Sequence, residues 1–135
     1  MFSKSTEALD YIAKNHVEMV DLKVSGIGGR CLHVTIPAMR FTASYFEEGV
    51  GFDGSSGSGF TNVEDGDVVA IPDPTAAFVD PFFHAPTLSF LCTTARADTK
   101  EPLGSDPRAI AQRAVEYLRS TRIADQALMA PWQLR

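Results

Sequence analysis

Residues Phe52-Asp53-Gly54-Ser55-Ser56 place one carboxylate and two hydroxyls inside a stretch with glycine at 49, 51, 54, 57 and 59. The run is too small and too polar for a core. Its glycines let the backbone take positive φ and come close to another molecule. A short polar loop between structured segments is where binding and catalytic groups collect. The plainer reading of the same residues is a surface turn. Asn62, Glu64, Asp65 and Asp67 follow, then an apolar block broken by prolines.

Other chemistry-bearing patterns are weaker. Gly54-Ser55-Ser56-Gly57-Ser58-Gly59 lacks the Gly-Lys-Ser/Thr end of a phosphate-binding loop. Glu64-Asp65-Gly66-Asp67 lacks calcium-loop spacing and reads as a solvated acidic turn. His16, His33 and His84 are scattered, none at metal-ligand spacing from a cysteine or acid, so no metal site is expected. His33 is expected to face solvent. Cys31 and Cys92 lie in strand-like apolar stretches and read as buried free thiols. Phe82-Phe83, beside strands, read as core or as a subunit contact.

The elements that must hold these groups follow from periodicity. Ser5 is positioned to cap a helix with an apolar stripe of Leu9, Ile12 and Ala13, ending near Asn15. Val20, Leu22 and Val24 alternate with Asp21 and Lys23, which predicts a half-buried strand over 17–24. Gly26-Ile27-Gly28-Gly29 turns the chain, and 30–36 alternates again, so the two strands should form an antiparallel hairpin. Ser44 to Glu48 reads as one helical turn that carries Tyr45 and Phe46 inward. Further strands are expected over 67–71, 76–79 and 88–94, separated by prolines 72, 74, 81 and 86. Residues 98–104 read as loop. Ser105 or Asp106 then caps a helix with Pro107 at its first position. Ile110, Ala114 and Leu118, joined by Ala111 and Val115, give that helix its apolar face. The fold class is α+β, with about five strands in a mixed sheet.

Composition sets broad limits. A chain of 135 residues suits one core, and 44% hydrophobic with 21% charged residues is ordinary for a globular protein. A net charge of −5, with no Lys/Arg interleaved with aromatics, argues against nucleic-acid and anionic-membrane binding. No apolar run approaches the ~20 residues of a membrane span. The amino terminus has no basic-then-apolar leader pattern, so the expected compartment is the cytoplasm.

A set of landmarks in fixed order adds a family resemblance. They are Val34-Thr35-Ile36-Pro37, Phe46-Glu47-Glu48-Gly49, Phe52-Asp53-Gly54-Ser55-Ser56, Ile71-Pro72-Asp73-Pro74, Asp80-Pro81-Phe82-Phe83, Asp106-Pro107-Arg108 and Ile123-Ala124-Asp125. Together they resemble the amino-terminal domain of type I glutamine synthetase, from about Ser5 to Pro131. The resemblance implies a β-grasp sheet over residues 1–102 and the opening helix of a catalytic domain over 103–135.

The family joins ammonia to glutamate at the expense of ATP, with Mg²⁺ or Mn²⁺, in a ring of subunits. Each active site there lies between one catalytic domain and the neighbour's amino-terminal domain. By that match, Asp53 attracts ammonium and takes its proton, and Ser56 orients Asp53 or lines the substrate pocket. Gly54 and Ser55 shape the loop that meets ammonium and glutamate. A carboxylate in a partly dry cleft suits both tasks.

The match also implies that the glutamate metal ligands and ATP contacts belong to family sequence beyond Pro131, where this chain has Trp132-Gln133-Leu134-Arg135. The expectation is a chain inactive alone, holding no cofactor, and working with a catalytic domain or neighbouring subunits. The alternatives are a freestanding β-grasp module that docks on a synthetase ring, and a remnant without function.

Overall fold

The computed structural model describes residues 2–52 and 67–127. The first helix, α1, spans Ser5–Lys14 and buries Ala8 and Ile12. The expected cap at Ser5 is not used. Lys4 occupies the cap position, and Glu7 reaches back to take the Ser3 N–H at 2.8 Å and its hydroxyl at 2.7 Å. A carboxylate in the first turn can satisfy the free N–H groups there from inside the helix, leaving Ser5 to be helical.

The hairpin forms as its alternation requires. Strand β1, Met19–Ser25, pairs antiparallel with β2, Cys31–Pro37, over seven residue pairs without interruption. Gly29, at φ +79°, supplies the left-handed turn residue. A 3₁₀ turn, Ala38–Arg40, and a short helix α2, Ser44–Glu48, follow. The remaining strands are β3 (Val50–Phe52), β4 (Val68–Val79) and β5 (Thr87–Arg96). The sheet order is β2-β1-β5-β4-β3, with β1 and β5 parallel and the other pairs antiparallel.

Two strand expectations are corrected. Residues 67–71 and 76–79 are not separate strands; they belong to the twelve-residue β4, whose register against β5 shifts between Pro72 and Ala77. The prolines are tolerated because β3 pairs only with Val68–Ala70. Beyond Ala70 no described strand pairs with the outer edge of β4, where the Pro74 carbonyl instead accepts from Phe2 N–H at 3.1 Å, so a missing N–H costs no ladder bond there. At the irregularity, Asp73 accepts from the Thr75 N–H at 2.8 Å and from its hydroxyl at 2.6 Å. The fifth strand is β3, which has only three residues.

The core lies on one face of the sheet. Val20 stands beside Leu88 and Leu22 beside Phe90 across the β1–β5 pair, all four fully buried. Phe41 stacks on Tyr45 at 5.1 Å and on Phe90 at 5.7 Å, while Phe46 meets Phe90 edge-on at 5.6 Å. The single turn of α2 therefore does bring Tyr45 and Phe46 inward. Cys92 is buried, and burial pushes its thiol up to about 12. Cys31 is exposed instead, because it begins the edge strand β2.

The last helix, α3, spans Pro107–Ser120 with Asp106 as its cap. The Asp106 carboxylate accepts from Arg108 N–H at 2.9 Å and from Thr94 N–H on β5 at 2.7 Å, so one side chain caps the helix and fastens it to the sheet. The expected apolar face holds in part: Ala111, Val115 and Leu118 are half-buried, but the fully buried residue is Ala109, and Ile110 and Ala114 are exposed. The Asp106 and Arg108 contacts set that orientation. No described helix is long and apolar enough to cross a membrane.

Candidate functional site

The sequence-predicted site residues Asp53, Gly54, Ser55 and Ser56 lie outside the described residues. Their mounting is described. Phe52, the last residue of β3, stands opposite Val68, the first of β4. The chain therefore leaves and re-enters the sheet at one end, and residues 53–66 connect these two neighbouring positions.

The entry side is built from α2 and Gly49. Gly49 has φ +73°, and a Cβ there would lie 2.9 Å from the Ala70 carbonyl oxygen and 3.1 Å from side-chain atoms of Val69 and Ile71. Only glycine fits both the left-handed backbone and the close approach to β4. The Gly49 N–H bonds to the Tyr45 carbonyl at 3.1 Å, which ends α2. Lys100 donates to the neighbouring Glu48 carbonyl at 2.9 Å. On the return side, the Asp67 carbonyl accepts from Ala97 N–H at 3.0 Å. Both ends are thus tied to the segment that follows β5.

A second polar constellation, which the sequence pattern does not disclose, occupies the sheet face opposite the core. Asp21 is fully buried and Asp80 nearly so. The Lys23 ammonium sits between them, 2.9 Å from Asp21 Oδ2 and 3.1 Å from Asp80 Oδ2. His33 Nδ1 lies 2.7 Å from Asp21 Oδ1, and the Thr35 hydroxyl donates to that oxygen at 2.8 Å. The Ser89 hydroxyl donates to Asp80 Oδ2 at 2.9 Å, and Phe82 N–H to Asp80 Oδ1 at 3.1 Å. The Phe83 ring covers the ammonium, with its centroid 5.4 Å away. His33 is half exposed, as expected for its solvent side, yet it is tied down by Asp21.

Burial opposes ionisation of Asp21, but hydrogen bonds from Lys23, His33 and Thr35 outweigh it and hold the carboxyl below its usual range. Burial likewise opposes ionisation of Asp80, and Phe82 N–H, Lys23 and Ser89 overcome it. Burial works against the Lys23 charge too, and the two carboxylates raise its pKa nonetheless. All three groups are held charged across the neutral range. This arrangement locks the turn after β4 to β1; it does not leave a proton to give or take. The alternation of Asp21 and Lys23 with apolar residues suggests a solvent side, and only the return of Asp80-Pro81-Phe82-Phe83 over that side buries it.

Among the described residues, no group of three or more His, Cys, Asp or Glu is placed to hold a metal ion. The buried carboxylates of Asp21 and Asp80 already hold the Lys23 ammonium. Phe82, read as core or contact, is 94% exposed, while Phe83 is half-buried over Lys23.

The comparisons with known proteins agree with this architecture. Residues 16–96 match the family model described as "Glutamine synthetase, beta-Grasp domain". The chain is 42% identical over 123 residues to a glutamine synthetase of Vibrio cholerae serotype O1, covering 91% of this chain and 26% of that protein. It is 44% identical over 125 residues to a glutamine synthetase of Aquifex aeolicus, covering 93% and 27%. A cryoEM structure of Plasmodium falciparum glutamine synthetase superposes with a TM-score of 0.83 at 25% identity, over 92% of this chain and 24% of that one. The chain spans about a quarter of the length of these relatives.

Proposed function

The chain belongs to the glutamine synthetase β-grasp family, and from that premise we propose that it supplies the ammonium-site loop of a glutamate–ammonia ligase. In this reading residues 1–102 are the β-grasp domain and 103–135 open the catalytic portion. Asp53 attracts ammonium and takes one of its protons. The neutral amine then attacks the γ-carbonyl of phosphorylated glutamate, and phosphate departs. Ser56 orients the carboxylate or lines the substrate pocket, and Gly54 and Ser55 shape the loop. The loop acts in trans, on a catalytic domain of a neighbouring subunit in a cytoplasmic ring.

What supports the reading is the β3–β4 junction. The family match spans it, and Gly49 fixes its entry against β4. ATP and a divalent metal are needed for the phosphorylation step, and no group of three or more His, Cys, Asp or Glu among the described residues is placed to hold a metal. Those groups belong to the catalytic portion in this reading. By itself the 135-residue polypeptide is expected to make no glutamine.

A chimera tests the proposal. This chain replaces the corresponding quarter of the Aquifex aeolicus enzyme, and ATP-dependent glutamine formation is measured. Activity within about tenfold of the parent is expected. A chimera that assembles like the parent but makes no glutamine would overturn the proposal.

A further inference from the structure

One turn, residues 96–101, grips both sides of the β3–β4 connection. The turn is closed on itself. Lys100 N–H donates to the Arg96 carbonyl and Arg96 N–H to the Glu101 carbonyl, each at 3.0 Å. Asp98 accepts from Thr99 N–H at 2.7 Å, and the Thr99 hydroxyl oxygen accepts from Glu101 N–H at 3.3 Å. Its base is fastened by the Ala95–Pro102 bridge and by Leu103 N–H on the Thr94 carbonyl at 2.9 Å. From this frame Ala97 N–H reaches the Asp67 carbonyl on the return side at 3.0 Å, and Lys100 Nζ reaches the Glu48 carbonyl on the entry side at 2.9 Å.

The two grips differ in kind. The first is a backbone bond, which any residue but proline could make at position 97. The second needs a particular side chain, 52 positions along the sequence from the group it holds. Lys100 also has φ +60°. Glycine takes that conformation freely and an L residue does not. Glycine at 100 would suit the same turn with less strain, but it would leave the Glu48 carbonyl without the ammonium. That carbonyl ends α2, where the last carbonyls have no partner within the helix and a cation is favourable. Gly49 comes next, and its fit against β4 fixes the entry to β3. Strand β3 has three residues at the edge of the sheet and pairs with β4 alone, so its placement depends on how its entry is held.

We propose that Lys100 is a positioning residue for the ammonium step: its ammonium pins the α2–β3 junction to the 96–101 turn and so sets the strand end from which Asp53 follows. The inference rests on the proposed function. Lys100 touches neither ammonium nor glutamate in this role; it acts through Glu48, Gly49 and β3. Placement matters because a misfit of about 1 Å in a reacting group can cost ~10²-fold in rate.

Three variants test it, in the 135-residue chain and in the active chimera. Lys100→Met removes the donor and keeps the strain. Lys100→Gly removes the donor and relieves the strain, so its melting temperature should be unchanged or raised. Lys100→Arg keeps a cation that can reach the same carbonyl. In the 135-residue chain, amide exchange in β3 relative to β5 should quicken in Lys100→Met and Lys100→Gly and stay near the unaltered rate in Lys100→Arg. In the chimera, kcat/KM for ammonium should fall about three- to tenfold in the first two variants, the worth of one hydrogen bond. Acyl phosphate trapped without ammonium should not fall with it, and Lys100→Arg should restore the ammonium dependence. A purely structural role predicts instead that Lys100→Gly is harmless. An active chimera whose ammonium dependence ignores Lys100→Met and Lys100→Gly, equal losses in both steps, or unchanged exchange in β3 would each overturn this inference alone. An unaltered chimera that assembles but makes no glutamine would overturn the proposed function and this inference with it.

Discussion

Lys23 on β1 and Asp80 in the turn after β4 meet at 3.1 Å, although Asp80 is also fastened by Ser89 and Phe82 N–H. The lysine is the one cation described between two buried carboxylates. Removing it leaves Asp21 and Asp80 without the ammonium they share, although their hydrogen bonds from Thr35, Ser89 and Phe82 N–H remain. Breaking a buried pair from one side costs about 3–5 kcal/mol. Lys23→Met should therefore destabilise the chain by about 3 kcal/mol in denaturant unfolding, at the low end because Lys23 is partly exposed. Lys23→Arg keeps the charge and should cost less than half as much. Equal losses for the two variants would show that shape, not charge, is what the site requires.

The same cluster sets a pH dependence. Asp21, Asp73 and Asp80 are all held below the usual carboxylate range; in each, burial works the other way and hydrogen bonds and cations prevail. The unfolded chain binds protons at about pH 3.9, where these groups in the folded chain remain ionised. Their contribution is present above that pH and lost as pH falls through the folded values. Lys23 is shifted upward, so its contribution is full below about pH 10.4 and lost as pH rises past it. Melting temperature should be flat between these limits and fall on both sides. Asp21→Asn should shallow the acid limb; an unchanged limb would remove Asp21 from the account.

Gly49 should tolerate no side chain. Left-handed backbone costs about 1–2 kcal/mol for an L residue, and a Cβ would press on the Ala70 carbonyl. Gly49→Ala is expected to destabilise by about 2 kcal/mol or more and to weaken amide protection in β3. Gly28→Ala, where nothing lies within 4 Å, is the control and should be near neutral. Similar effects from both changes would mean that the α2–β3 junction is not held as described.

Local chemistry made much of the fold readable. The alternation in β1 and β2, the glycine turn between them, Asp106-Pro107 at the start of α3 and the aromatic pair in α2 all act within a few residues. The misreadings have non-local causes. β3 is only Val50-Gly51-Phe52, and its pairing with β4 defines it. β4 runs through two prolines because its outer neighbour ends at Ala70. Asp21 looks solvated until Asp80 and Phe83 fold over it. The α3 face is turned in part by contacts from Asp106 to Thr94 and from Arg108 to Asp73. For Asp53 to Ser56, the described residues give the anchor points on either side of the loop, and the assignment of roles stays a proposal.

That proposal has a step-resolved test. In the chimera described above, Asp53→Asn nearly preserves shape but removes the charge and the basic site. Ammonium loses both its attraction and its proton acceptor, while ATP and glutamate keep theirs. Loss of a general base commonly costs ~10²–10⁴ in rate. Ammonium-dependent glutamine synthesis should fall by that order, while acyl phosphate formed without ammonium and trapped chemically should stay within a few fold. Ser56→Ala should be milder, since it removes one hydrogen bond worth ~0.5–1.5 kcal/mol, or about two- to tenfold. Equal loss of both steps in Asp53→Asn would assign the carboxylate to organising the whole site. No loss in either step would reduce Asp53 to a turn residue and end the case for an ammonium loop.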